Sequence, residues 1–531
     1  MTHSEPSNAT QQSFMSRLFQ RKNVDDILAH SQSGQHQLKK TLGALDLVIF
    51  GIGGMVGAGI FVLTGAAAAG FDGHLAAGPA LVFSFILTGF ISFFCALCYS
   101  EFAAMVPTSG SAYTYAFSTM GEFTAWIIGW ALILEYAVGN MAVGVSWTGS
   151  VKAFLAGVFG TALPTWMTSN TLDTISLAGF PKIDHSIILH KIPFTIPFSD
   201  NHQYFLIQSA FNLPAFVIVM LITGLLVLGV SESARTAAIM VFIKISVVLL
   251  FITVGTFFIL GGHLPVFHHN WFENGWSTFA PNGLKGVVTG ASTIFFAYIG
   301  FDAVSTAAEE TKNPQRDIPI GILGSVIICT ILYIAVTTII TGIIPLHDIN
   351  QEAAVVGAMN IMGYPWASWL ISGGTIAGLT SVLLVLQMGG IRVLYAVARD
   401  GLLPPAFATI HPKFKTPHIC TMITGVFVAL GSGLLPINLL AEMCNIGTLG
   451  AFVIVCIGVA ILRFTEPERK RPFKTPLGLL FPILGSAGCF YVMTGLPVFT
   501  WLVTIVWFLL GMILYFSYGF WHSKMRLSQA K

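Results

Sequence analysis

Charge is what this chain has least of. Of its 531 residues, 9% are Asp, Glu, Lys or Arg and 55% are hydrophobic, whereas soluble globular chains carry roughly a quarter charged residues. That balance argues against a soluble enzyme and for an integral membrane protein. The net charge of +2 is close to neutral and says nothing about nucleic acid, which is not among the expected partners. Alternating ten-residue segments are missing and long apolar runs take their place, so helices rather than an outer-membrane barrel are expected. Residues 1–41 are polar and lack the basic-then-apolar pattern of a cleaved signal. No G-x-x-x-x-G-K-[ST] loop is present, which argues against direct drive by ATP. The seven cysteines lie in or beside apolar spans; Cys95 and Cys98 form a C-x-x-C, but inside an expected membrane helix, where packing is their role. The fourteen histidines are scattered over tails and loops, including His268 and His269, with no second pair at zinc spacing, so no metal or cofactor is expected.

Glycine is plentiful, and its placement organises the rest. Phe50 is followed by GIGGMVGAGIFVLTG, inside an apolar run over about 42–70 that is long enough to cross a bilayer. Gly51, Gly53, Gly54, Gly57 and Gly59 crowd its middle and predict a helix that breaks there. A break at membrane depth frees backbone N–H and C=O groups, which is tolerable only against a cavity or buried protein. Transporters use such breaks to bind ligands: the second half-helix aims its positive end at an anion, and freed carbonyls take a cation. An α-amino acid offers both charges. The alternative is a glycine-rich packing face for a neighbouring helix.

About twelve spans are expected, at 42–70, 78–106, 123–159, 205–230, 236–261, 286–309, 319–345, 366–398, 418–436, 438–463, 477–496 and 498–521. The tail 1–41 contains a possible amphipathic surface helix over Ser13–His30, with Arg17, Arg21 and Lys22 toward lipid head groups. Lysine and arginine gather on one side of this arrangement, whereas the other side holds only Lys182, Lys191 and Lys285, which puts both termini in the cytoplasm. The longest outer loop, 160–204, is polar and reads as a cap. The sixth span carries FFAYIGFDAVS, with Asp302 beside Gly300. It lies five helices after the first broken span, and an odd number of helices inverts the second unit. Interrupted helices at matching positions of two inverted halves point to a transporter site and favour the binding reading of the first break. The units are then 42–261, 262–463, two further helices over 464–521, and a tail at 522–531.

An ionisable residue at membrane depth costs about 2.5–3.5 kcal/mol even on the mildest scale. Lys244, in the fifth span, is far from the interface for snorkelling. Its ammonium suits the freed carbonyls of the first span, bridging them to the eighth, and its release of a proton would couple transport to protons. Glu135, in the third span beside Tyr136, is either a pocket acid or a structural partner. Asp302 is either a cap for the second broken helix or a group that touches substrate or Lys244. Glu101 and Arg392, near the inner surface, are candidates for an inner gate or solvated helix ends.

These motifs, with YSEFAAMVPTSGSAYTYAF, IIGWALILEYAVG, FFAYIGFDAVSTAAEETKNPQRDIP and RVLYAVARDGLLPPAFATIHPKFKTP, resemble the cationic amino acid transporter family of the amino acid–polyamine–organocation superfamily, in order and over nearly the whole chain. The resemblance implies a LeuT-type all-α fold: a 5+5 inverted repeat with discontinuous helices 1 and 6, plus two helices. It further implies that the Ala58 and Gly59 amides hold a substrate carboxylate and that carbonyls of Met55, Phe296, Ala297 and Ile299 take its amino group. Phe296 would cover the substrate, Lys244 would replace a sodium ion, and Glu135 would be the acid of the third span. Two departures stand out. Ala58 replaces a hydroxyl residue found in many relatives, and Met388-Gly389-Gly390-Ile391-Arg392 replaces an expected Gly-Gln-Pro-Arg.

The expectation is therefore a multi-pass permease of the cell membrane that imports cationic or small neutral L-amino acids, coupled to protons and independent of sodium. An exchanger of amino acids or polyamines and a non-transporting sensor remain alternatives. A membrane enzyme is disfavoured because the loops lack a clustered acid–base set, and a channel because no pore loop or charged ring is visible.

Overall fold

The computed structural model describes residues 18–22, 40–71, 74–107, 111–176, 188–195, 202–208, 210–229, 234–349 and 353–529. Most of the amphipathic helix expected over Ser13–His30 therefore lies outside the described residues. Helices dominate. Among the described residues, eight helical stretches are long and apolar enough to cross a membrane, and nine when one pair bent by 45° counts as a single span. That pair is α1 (Ala44–Met55) with the π-helical turn Gly59–Leu63 and α2 (Thr64–Ala69). After it come α3 (Leu81–Met105), α4 (Ser111–Thr119) and α5 (Glu122–Phe159).

α5 is long because glycines mark both of its ends. Gly121 (φ +94°) admits the chain, and Gly160 (φ +61°) closes the helix in the left-handed conformation common at helix C-termini. The segment 107–121, which reads as a polar connection, carries α4. Residues 18–22 dock against it: Lys22 Nζ lies 2.6 Å from Asp400 Oδ1 and over the Phe117 ring, while the Tyr113 hydroxyl donates to Asp400 Oδ2 at 2.8 Å. Lys22 thus meets protein rather than lipid head groups. Burial, and then the Asp400 carboxylate, push the Tyr113 hydroxyl well above its ordinary value and keep it a donor.

The loop after α5 holds a three-stranded antiparallel sheet in the order β1-β3-β2, from β1 (Leu172–Ser176), β2 (Ile188–Thr195) and β3 (His202–Gln208). β3 corrects the expected start of the fourth span at 205. A short apolar run such as Tyr204–Ile207 fits a strand as well as a helix, and here it pairs with β1 and β2. The helix, α6 (Leu213–Val227), starts after Asn212, whose side chain accepts from the Ala215 amide at 3.2 Å, with Pro214 in the first turn.

The second half runs from α7 (Ala234–Phe258) through α8 (Gly283–Ile294), a 3₁₀ turn at Phe295–Tyr298 and the short α9 (Ala303–Thr306). It continues with α10 (Pro314–Ile343), α11 (Ala354–Ile361), α12 (Pro365–Arg399), α13 (His418–Leu434), α14 (Ile437–Thr465), α15 (Leu480–Met493) and α16 (Val498–Leu514). α6, α13 and α15 are apolar but shorter than the eight spanning stretches. α5 packs on α12 and α14, α10 on α1 and α3, and α7 on α12. This places α1 and the α8–α9 break in the middle, where small residues let backbones approach.

Candidate functional site

The first break follows the glycine cluster. The helical ladder of α1 ends where the Val56 amide donates to Ile52 O at 2.9 Å, and Val56 then turns extended (φ −73°, ψ 96°). The next carbonyl, Gly53 O, accepts from Lys244 Nζ at 2.7 Å. Lys244 is wholly buried. Its stem runs along α12, where a Cβ added at Gly378 would stand 2.9 Å from Lys244 Cγ. The ammonium of α7 therefore lies between the break in α1 and the α12 backbone, holding a carbonyl that the break frees.

The second break faces the first. Ile299 is extended (ψ 134°) and Gly300 has φ +115°, a conformation that side chains other than glycine's strain to adopt. The two backbones touch: a Cβ on Gly300 would lie 2.9 Å from Gly54 C, and one on Gly59 2.4 Å from Ala297 Cα. Gly54 is thus brought against Gly300 and Gly59 against Ala297, and Met55, Ala58, Phe296 and Ile299, which flank these contacts in sequence, are all buried. The Ala297 carbonyl already accepts from the Tyr333 hydroxyl at 2.9 Å, which leaves one lone pair for a ligand.

Two acids flank this meeting point. Asp302 Oδ2 accepts from the Tyr136 hydroxyl at 2.8 Å, while Oδ1 has no hydrogen-bond partner among the described residues. Asp302 precedes α9 but makes no side-chain cap to it; its partner is the residue next to Glu135. Glu135 is wholly buried; among the described residues neither carboxyl oxygen makes a hydrogen bond of ordinary geometry, and Thr448 supplies the hydroxyl that interacts with it. Such a group is costly unless something occupies it, a proton or a cation.

Glu101 and Arg392 take different partners. Glu101 is buried and pairs with Arg463 at 2.5 Å and Arg471 at 3.3 Å, tying α3 to the end of α14 and the segment after it. Arg392, half-buried on α12, lies 3.4 Å from Glu310 Oε1, just beyond α9. That second pair joins a helix beside Lys244 to the segment leaving the second break.

Sequence reasoning passed over a third cluster. His74 Nε2 lies 2.8 Å from Glu442 Oε1, Thr500 Oγ1 donates to Glu442 Oε2 at 2.5 Å, and Thr293 Oγ1 lies 3.5 Å from His74 Nδ1. One turn along α14, Asn445 Nδ2 donates to the carbonyls of Ser292 and Thr293, at 2.7 and 3.2 Å. The segment after α2 and the end of α8 are both tethered to α14 in this way. Glu442, an acid inside an apolar helix, was the available signal.

The same geometry accompanies clear sequence relationships. The sequence model of the amino acid permease family matches residues 42–521. The chain belongs to the amino acid permease family. It is similar to the branched-chain amino acid permease BcaP of Bacillus subtilis (strain 168), 42% identical over 96% of this chain and 99% of the relative. It is similar to the methylthioribose transporter of the same organism, 40% identical over 96% of this chain and 100% of the relative. The vacuolar cationic amino acid transporter 4 of Arabidopsis thaliana is 33% identical over 86% of this chain and 68% of the relative. This permease is therefore a multi-pass membrane transporter rather than an enzyme, and its family supports amino acid transport.

Proposed function

We propose that this permease is a secondary active importer of L-amino acids, driven by protons, independent of sodium and working by alternating access in the cell membrane with both termini in the cytoplasm. The observation that carries the proposal is the Lys244 ammonium on the Gly53 carbonyl, a fixed cation at the break of α1. With Lys244 protonated, α1 is tied to α7; loss of the proton would release Gly53 O and loosen that tie. A substrate carboxylate would meet the amides of Ala58 and Gly59, and its amino group the carbonyls of Met55, Phe296, Ala297 and Ile299, with Phe296 as lid. Glu135 and the Tyr136–Asp302 pair would take up a proton or a cationic side chain.

The proposed architecture is the LeuT-type one, with twelve spans: the nine already described plus α6, α13 and α15. It is supported by breaks in two helices that meet back to back. Glu101 and Arg392, each in an ion pair, would close the inner side. A small neutral amino acid is the first substrate to test, since a relative similar over nearly its full length is named for branched-chain amino acids. Arginine and lysine belong in the panel because of the cationic relatives, and methylthioribose because a second full-length relative is named for it. Uptake of leucine, alanine, arginine, lysine and methylthioribose into sodium-free proteoliposomes under an inward proton gradient tests the proposal. Accumulation of an amino acid supports it. Exchange without accumulation indicates an antiporter, and binding without either indicates a sensor.

A further inference from the structure

A cavity of about 400 Å³ lies away from the meeting of the two breaks, between α5, α12, α13, α16 and the loop after α12. That volume lies within the usual range for small-molecule sites. Its wall is almost entirely apolar, and among the described residues no charged side chain lines it. Trp130 and Trp507 stack along one side at 4.6 Å, and each indole N–H is spent on the other residue's backbone carbonyl, at 2.9 and 3.2 Å. They present ring faces, not donors. The polar capacity lies elsewhere. Asn140 is wholly buried, and neither its Oδ1 nor its Nδ2 has a hydrogen-bond partner among the described residues; Gln387 Oε1 also lacks one, and the buried Thr424 hydroxyl has the Cys420 thiol beside it. The other end of Gln387 is fixed, its Nε2 donating to Thr223 Oγ1 at 2.6 Å.

We propose that this cavity binds a neutral, hydroxyl-bearing, single-chain amphiphile drawn from the bilayer. The apolar wall takes the chain. The buried amide of Asn140, a donor and an acceptor together, takes a hydroxyl, which is both. Gln387 Oε1 accepts a second hydroxyl, and Thr424 Oγ1 completes the set. A charged head group is disfavoured because nothing charged faces it. The occupant rests on Tyr136, which also lines the cavity and whose hydroxyl holds Asp302, so the amphiphile touches the central acids through one ring.

The test uses the full chain in phosphatidylcholine nanodiscs and a monoacylglycerol with a dibrominated chain, since bromine quenches tryptophan on contact. The expected result is saturable quenching, reduced in Trp130→Phe and Trp507→Phe. Replacing the two hydroxyls by methyl ethers weakens half-saturation about tenfold, the worth of a buried neutral hydrogen bond at the upper end of its range. Asn140→Leu and, independently, Thr424→Val reduce that discrimination between hydroxyl and ether. Quenching that rises linearly with mole fraction, matches that of dibrominated phosphatidylcholine, or is equal for the two probes would overturn the proposal and leave ordinary annular lipid.

Discussion

The close approach of the two breaks can be dissected with four glycine-to-alanine substitutions, because the structure separates backbone strain from crowding. Gly450, within α14, has nothing within 4 Å of an added Cβ. Alanine there gains helix propensity, so Gly450→Ala should be neutral or stabilising by about 0.5–1 kcal/mol. Gly283 has φ +55° but open space around it, and Gly283→Ala should cost about 1–2 kcal/mol, from conformation alone. Gly59 has the reverse problem: its added Cβ would stand 2.4 Å from Ala297 Cα, and backbone cannot swing aside as a side chain can. Overpacking of that kind costs about 1–3 kcal/mol or more. Gly300 combines φ +115° with a Cβ 2.9 Å from Gly54 C, so Gly300→Ala should cost about 2–5 kcal/mol, the sum of the two causes. The assay is thermal denaturation of purified protein in one detergent, followed by tryptophan fluorescence, with substrate binding on the same samples. The expected order of melting temperature is Gly450→Ala, then Gly283→Ala, then Gly300→Ala, with Gly59→Ala below Gly450→Ala. Substrate binding should be lost in Gly59→Ala and Gly300→Ala even below their melting temperatures. If Gly300→Ala melts and binds like the unmodified chain, the two broken helices do not meet as described.

Three other perturbations address the surrounding polar contacts. Tyr136→Phe leaves Asp302 Oδ2 bare in the interior; it should cost about 1–3 kcal/mol of stability and lower uptake at least tenfold, whereas Phe117→Tyr would not be informative because that ring packs against Lys22. Glu101→Gln strips the buried carboxylate from two largely enclosed arginines and should cost about 3–5 kcal/mol, while Arg392→Gln breaks a half-exposed 3.4 Å pair worth about 0–1 kcal/mol; a uniform loss in both would contradict their separate environments, and uptake kinetics of Arg392→Gln report whether that pair restrains opening. A double-mutant cycle on melting, with His74→Gln and Glu442→Gln, should give a coupling of about 0.5–3 kcal/mol for a buried contact, and additive effects would mean that the 2.8 Å contact does not tether the segment after α2 to α14.

Much of the centre was legible because its physics is local. Five glycines in nine positions weaken a helix whatever surrounds them, and Gly300 beside Asp302 marks the second break in the same way. Lys244 could be singled out because a lysine that deep needs an acceptor, and the structure supplies Gly53 O. What escaped depended on distant partners. His74 sits in a loop and meets Glu442 across 368 positions of sequence. Glu101 turns to Arg463 and Arg471 rather than toward Arg392, a choice fixed by how α3 meets α14. Asp302 read either as a cap for α9 or as a group reaching substrate or Lys244, because a cap is a local expectation whereas the partner it takes, Tyr136, comes from α5. β3 was hidden by an apolar run too short to show a period, and α4 by its polar sequence.

Coupling of transport to protons through Lys244 is isolated by Lys244→Met. Methionine keeps the apolar stem beside Gly378 and removes the ammonium from Gly53 O. Leaving that carbonyl bare costs about 1–3 kcal/mol, but removing a buried charge returns several kcal/mol of desolvation, so the variant should fold and bind substrate. The measurement is uptake into sodium-free proteoliposomes, with and without an inward proton gradient, for the unmodified chain and for Lys244→Met. The unmodified chain should accumulate substrate under the gradient and Lys244→Met should not, with substrate binding retained in both. Accumulation by Lys244→Met that still follows the proton gradient, or uptake by the unmodified chain that requires sodium, would contradict that coupling.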